Sequence, residues 1–486
     1  MARIASAAAL AAAALMVFST PVQGGGPRML VGAVEQNLLQ PTLDQAAAQF
    51  ALAQNAGLGD AVRVELTWAR VPRTPDQASI VRLRSAVAAA AGQGARVYVA
   101  LYPYGSSQTP LSDADQNDFA AWATAIARAV PQEHHYIIGN EPNLNRFWLP
   151  QFGPNGEDVA APAYVSLLAR TYDALKAISP SIEVLGGALS HGGVDRPGTG
   201  RDTHSPTAFI QDMGAAYRAS RRDRPIMDAF TFHPYMLSSD EPPTLQHPDS
   251  TTITIADYDK LVQLLGQSFD GTAQKGSDLP ILYDEFGVES EIPPEKTSLY
   301  TGSEPKTVHP VDEATQASYY DQALLLAFCQ PNVEGFLVFS LMDEVNRAGW
   351  QSGVYYADET PKTSLQPVRG AAIDVHRNVA TTCPAVRVTP RLRLNWFPAG
   401  KPGPGASSFP VALTCDVDCT YLLRLEKLPQ HSTTRESRGR ATGRVGKQVT
   451  FQLRLAPGTY RYTIRAQATQ NADQPAFAVS PAFTIG

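Results

Sequence analysis

Two apolar runs in this 486-residue chain end in glutamate: Y-I-I-G-N-E-P-N carries Glu141, and I-L-Y-D-E-F-G carries Glu285, 144 residues further on. One carboxyl group can protonate a departing oxygen while a second attacks the carbon that the oxygen leaves. A pair held about 5 Å apart therefore performs both halves of glycosidic cleavage through a covalent intermediate. Taken singly, a glutamate near a strand end is commonly a solvated or capping group, so the pair matters more than either member. Asp284 competes with Glu285, but neighbours in a strand point to opposite faces, and regular alternation lets only one of them face inward. Glu289, Glu291, Asp343 and Glu344 read as solvated or structural loop carboxylates.

Such a pair must be positioned by a fold. From about residue 28 to 378, short apolar runs alternate with amphipathic helical stretches, the pattern of a parallel sheet wrapped by helices. Eight strands are expected, starting at Arg28, Val62, Arg96, Tyr136, Ile182, Asp228, Ile281 and Gly335. Thr42, followed by Gln45, reads as an N-cap for the first helix, and Ser205-Pro206 opens another. Eight strand–helix repeats without a Gly-rich phosphate turn after the first strand favour a closed (β/α)8 TIM barrel over an open doubly wound sheet. Glu141 then closes the fourth strand and Glu285 the seventh, facing each other across the mouth where barrel enzymes place their chemistry.

On these residues the chain resembles the clan of retaining β-glycosidases that includes the family 5 cellulases, over residues 28 to 378. The resemblance implies that Glu141, in Asn-Glu-Pro, is the acid/base and that Glu285, not Asp284, is the nucleophile. It assigns Asn140 to the sugar 2-hydroxyl, Arg63 to the nucleophile's neighbourhood, and His233 and Tyr235, in F-H-P-Y, to its orientation. The clan's tryptophan at the end of strand eight is Phe339 here, and Trp350 in the following loop is the candidate replacement. Tyr104 and Trp148, which follow strand ends, are the aromatic residues expected to stack on sugar rings. The mechanism implied is double displacement, with Glu285 ionised and the Glu141 pKa raised by the neighbouring carboxylate and partial burial. No metal or organic cofactor is expected. Two alternatives stay open: an exo-acting enzyme on a glycoconjugate or disaccharide-bearing small molecule, and a carbohydrate-binding protein without catalysis.

Composition fits this reading. Hydrophobic residues make up 44% and charged residues 18%, enough apolar material for a core, and the net charge of -6 comes without a Lys/Arg block, which argues against nucleic acid as a partner. Residues 1–24 combine Arg3, an apolar run from Ala7 to Phe18 and small residues near Gly24, the pattern of a cleaved export signal. The mature chain is thus expected to be secreted, free of membrane and monomeric. Export permits disulfides: Cys415–Cys419 and Cys329–Cys383 are the preferred pairs among the three possible pairings. The barrel is placed at residues 25–383. Residues 384–486 switch to alternating apolar and polar runs, a small antiparallel β-sandwich in which a spacer role is preferred over sugar binding by Trp396 and Tyr421.

Overall fold

The computed structural model describes residues 25–248, 250–379, 394–398, 406–415, 418–441, 447–469, 475–480 and 482–485. Its first part is a closed parallel barrel of β1 (Leu30–Val34), β2 (Ala61–Trp68), β3 (Arg96–Pro103), β4 (His135–Ile138), β5 (Glu183–Ser190), β6 (Ala229–His233), β7 (Ile281–Phe286) and β8 (Val333–Phe339), in sequence order. Around it lie α1 (Leu43–Asn55), α2 (Gln77–Ala91), α3 (Asp113–Ala129), α4 (Ala160–Lys176), α5 (Pro206–Ser220), α6 (Tyr258–Phe269), α7 (Glu313–Phe328) and α8 (Leu365–His376). The expected (β/α)8 barrel is present, with all eight strands at the expected places.

Local chemistry starts the helices as read. The Thr42 hydroxyl accepts from the Gln45 amide, and the Ser205 hydroxyl from Ala208, with Pro206 in the first turn of α5. Along β2, Val62 and Val64 pack outward with the helices, so the alternate residues Arg63 and Glu65 turn inward. The lumen is filled by Tyr98, Ala100, Ile137, Leu185, Leu282 and Leu337 among others, so the barrel is a packed support and not a pore.

The second part contains two antiparallel sheets: β13-β10-β9, and β12-β11-β14-β15 with β16 paired to β14. The strands are β9 (Leu394–Pro398), β10 (Ser408–Cys415), β11 (Cys419–Lys427), β12 (Ser432–Ala441), β13 (Lys447–Gln452), β14 (Gly458–Ala468), β15 (Pro475–Val479) and β16 (Phe483–Ile485). Phe409, Val411, Leu423, Leu425, Tyr462 and Ile464 form their shared core. Tyr421 is also buried, against Gly439, and Trp396 packs on the same core, which speaks against the less preferred alternative of sugar binding by this pair. His431 meets the backbone oxygen of Asp195 at 2.6 Å, tying the sheets to the barrel. Cys415–Cys419 is a disulfide, as expected; Cys383 and the expected boundary near it lie outside the described residues, as does the expected export signal. No helix among the described residues is long and apolar enough to cross a membrane.

Candidate active site

At the C-terminal mouth of the barrel, one buried guanidinium organises the carboxylates. Arg63 is fully buried and donates to Glu285 Oε1 at 2.7 Å, Glu65 Oε1 at 2.9 Å and Asn140 Oδ1 at 2.7 Å, while its Nε faces Asp284 Oδ2 at 3.3 Å. Burial alone would lower its pKa, but the charges of Glu285, Glu65 and Asp284 outweigh that and hold it well above the usual arginine range. The Asn140 oxygen is committed to Arg63, which leaves its amide NH2 as a donor for a substrate hydroxyl.

Glu285 is fixed through both oxygens: Oε1 accepts from Arg63, and Oε2 accepts from the Tyr235 hydroxyl at 2.9 Å. Its pKa is pushed up to about 7, chiefly by burial and further by Glu141, against the opposing pull of His233 and Arg63. The Glu285 side chain is 9% exposed and that of Glu141 is 14% exposed, so both are largely enclosed at the mouth.

His233 stands between the two glutamates. Its Nδ1 lies 3.2 Å from Glu141 Oε1 and 3.4 Å from Glu285 Oε2, so these oxygens are no more than 6.6 Å apart, the sum of the two distances. On its other side, Nε2 faces Asp284 Oδ1 at 3.4 Å. Burial works to discharge the ring, but Glu285, Asp284 and Glu141 outweigh it and raise the pKa to about 10, which keeps the imidazolium as second cation of the cluster.

The backbone is irregular where these groups converge. Glu141 has φ 39°, in the left-handed region that non-glycine residues avoid, and its amide donates to the oxygen of Ala188, itself at φ 47° beside a register shift in β5. Just before it, Gly139 at φ 104° leaves no room for a Cβ, which would sit 2.9 Å from the Tyr164 ring. In β7 the register slips between Tyr283 and Phe286, and both Asp284 and Glu285 reach the same arginine. The expectation that only one of the two faces inward is overturned by that bulge, which suspends the alternation.

The remaining candidates fall into two groups. Trp350, half-buried, stacks on Tyr235 at 4.9 Å and meets Phe339 edge-on at 5.5 Å, so the loop tryptophan sits beside the residue that holds the place of the clan's strand-eight tryptophan. Tyr104 is 71% exposed, just past β3. Trp148 is 1% exposed and packs edge-on against Tyr164; its apolar neighbours draw it into the core, and no face remains for a sugar, which corrects that assignment. Sequence reasoning missed Glu65, which bridges Arg63 and the Tyr102 hydroxyl at 2.6 Å; its place two residues after Arg63, on the same strand face, was the available signal. A cavity of about 780 Å³ lies on the outside, between α4 and α5, and contains none of these residues.

No protein-family model matches the chain, and no curated protein matches it. Among solved structures, a GH39 enzyme from Xanthomonas axonopodis pv. citri is 14% identical, covering 89% of this chain and 94% of that one, with a TM-score of 0.46. A glucosidase from Croceicoccus marinus is 11% identical, with 89% and 94% covered and a TM-score of 0.48. A calcium-binding mutant of Bacteroides uniformis beta-glucuronidase 2 is 11% identical with a TM-score of 0.45; it covers 94% of this chain, which spans 45% of that protein's length.

Proposed function

We propose that the chain is a secreted retaining β-glycosidase that hydrolyses O-glycosidic bonds of a β-linked oligo- or polysaccharide by double displacement. The observation that carries this reading is the placement of Glu141 and Glu285 against one imidazole nitrogen, with their nearest oxygens within 6.6 Å. That upper bound admits the roughly 5–5.5 Å of retaining pairs and excludes all but the lowest edge of the about 6.5–9.5 Å at which inverting pairs stand to admit a water.

Glu285, aligned by Arg63 and Tyr235, attacks the anomeric carbon as the anion. Glu141, the more open of the two, passes a proton to the departing oxygen, which leaves a glycosyl ester on Glu285. Water then enters, Glu141 takes its proton, and the C–O bond to Glu285 breaks with a second inversion, so the configuration is retained. The Asn140 amide would hold the sugar 2-hydroxyl, where hydrogen bonds strengthen in the transition state. Export through the segment at residues 1–24 belongs to the same reading.

Azide rescue tests it. On 4-nitrophenyl β-glycosides, Glu141→Ala and Glu285→Ala are expected to lose activity by several orders of magnitude. Azide should then yield a β-glycosyl azide from the first and an α-glycosyl azide from the second, read by NMR. Full activity in either variant would remove that glutamate from the mechanism.

A further inference from the structure

At the end of β5, His191 belongs to no part of the mechanism above, yet it stands at the same mouth. Its ring centroid lies 6.0 Å from that of Tyr235, the residue that holds Glu285, and its charge state is coupled to those of Glu141 and His233. The backbone around it is pinned. Asn143, fully buried two residues after Glu141, accepts from the Ser190 amide at 3.0 Å and donates to the oxygens of Ser190 and Gly192, both at 3.3 Å. The His191 oxygen itself accepts from the Ile253 amide at 2.9 Å. The second asparagine of Asn-Glu-Pro-Asn thus fixes His191 to the loop that carries the acid/base.

The ring is half-buried, and Nδ1 is its enclosed atom, without a hydrogen-bond partner. The accessible nitrogen is therefore Nε2. The imidazole is kept neutral, its pKa brought down to about 4 mainly by burial, more strongly than Glu141 raises it. A buried bare acceptor is more readily tolerated than a buried N–H without a partner, which assigns the proton to Nε2, the more accessible nitrogen, as a donor.

A sugar chain bound for cleavage must cross the line from Glu141 on the β4 side to Glu285 on β7. Arg63 and Glu65 on β2, with Trp350 from the β8 loop, occupy the arc that runs through β8, β1 and β2. His191 occupies the other arc, through β5 and β6, beside the acid/base. We propose that His191 is a substrate-binding residue whose Nε2–H donates to a hydroxyl of the leaving-group sugar, so that the enzyme is built for a glycan whose aglycone is itself a sugar and not an apolar group. This rests on the glycosidase reading and adds which side of the bond His191 serves.

The test compares leaving groups. Wild type, His191→Ala and His191→Asn are assayed on 4-nitrophenyl β-D-glucoside, xyloside, mannoside and galactoside, and on the matching β-linked disaccharides and trisaccharides. The expected result for His191→Ala is a fall of about 3- to 10-fold in kcat/KM on the oligosaccharides, the range of one neutral hydrogen bond, with the aryl glycosides within 2-fold of wild type. His191→Asn, which keeps a donor, should recover part of the oligosaccharide rate. Equal losses on both classes, with or without a lower melting temperature, would show a glycone or structural role and overturn the proposal, as would no loss on either. Absence of wild-type turnover on every substrate would overturn the glycosidase reading and this one together; wild-type turnover with an unchanged ratio would overturn this one alone.

Discussion

Replacing Arg63 by methionine asks whether the guanidinium keeps the nucleophile ionised. The side chain reaches four partners at 2.7–3.3 Å, three of them carboxylates, and the guanidinium itself is fully buried. Removing one partner from a buried ion pair destabilises by about 3–5 kcal/mol, because the other charge is left uncompensated. Glu285 can relieve part of this by taking up a proton, since burial has already brought its pKa to about 7 and the loss of an opposing cation raises it further. If roughly 3 kcal/mol of the lost attraction falls on Glu285, then at about 1.4 kcal/mol per pH unit the acid limb of kcat/KM moves up by about 2 pH units. The direction follows from the mechanism: attack needs the anion, so activity rises as pH climbs through the pKa, and a higher pKa moves that rise to higher pH. At pH 7 the ionised fraction drops from about one half to about one in a hundred, and kcat/KM drops with it by about 50-fold. Initial rates on an aryl β-glycoside from pH 5 to 9.5, with circular dichroism to confirm folding, read this directly. Arg63→Lys keeps the charge without the fork, so its limb should move less. A folded Arg63→Met chain with an unmoved acid limb would refute the role given to the guanidinium. So would a loss of the same size at every pH.

Two further perturbations probe the walls of the site. Trp350→Ala removes the stack on Tyr235 and the edge contact with Phe339, worth about 0.5–1.5 kcal/mol. The expected result is a modest fall in melting temperature from these lost contacts, together with a severalfold fall in kcat/KM because Tyr235 and the sugar lose the ring beside them; unchanged kinetics would exclude it from the sugar site. Lys362 is buried, with Nζ 2.7 Å from Asp343 and 2.8 Å from the Ser290 hydroxyl, and it joins the loops after β7 and β8. Lys362→Met should destabilise by about 3–5 kcal/mol by leaving Asp343 unpaired. The double variant Lys362→Met/Asp343→Asn should melt closer to wild type, because the new side-chain amide can still accept from the Gly353 amide and meet the Tyr300 hydroxyl without carrying a charge. A double variant that melts below the single one would refute that reading.

Much of the barrel was legible because its signals are local and repeated. Buried parallel strands read as continuous apolar runs, and Thr42 and Ser205 announce helices by side chains that cap them. The pairing of Glu141 with Glu285 followed from their places at the ends of strands four and seven together with the family resemblance, which chose Glu285 over Asp284. Less was legible in the second part. The edge strand β12, S-T-T-R-E-S-R-G-R-A, is exposed over most of its length and carries no apolar alternation to betray it. Trp148 was misplaced because its position after a strand end suits either a rim or a core, and only the packing of Tyr164 against it decides.

The two departures that mattered most share a cause. A regular strand offers every second side chain to one face, so it can supply one carboxylate to a given arginine and must send its neighbour away. Arg63 and His233 instead face Asp284 and Glu285 together, which a slipped register in β7 allows, and Glu141 reaches the same imidazole from a left-handed backbone secured to an irregular stretch of β5. Three carboxyl groups and two basic side chains are thereby brought into a volume that straight strands would populate more sparsely. Backbone strain of about 1–3 kcal/mol at a residue such as Glu141 persists only where its surroundings over-determine it, and here the Ala188 oxygen and the His233 contact do so. The pattern rules that locate the barrel from sequence therefore lose force at the residues that would carry its chemistry, because bringing those charges together requires breaking the regularity on which the rules depend.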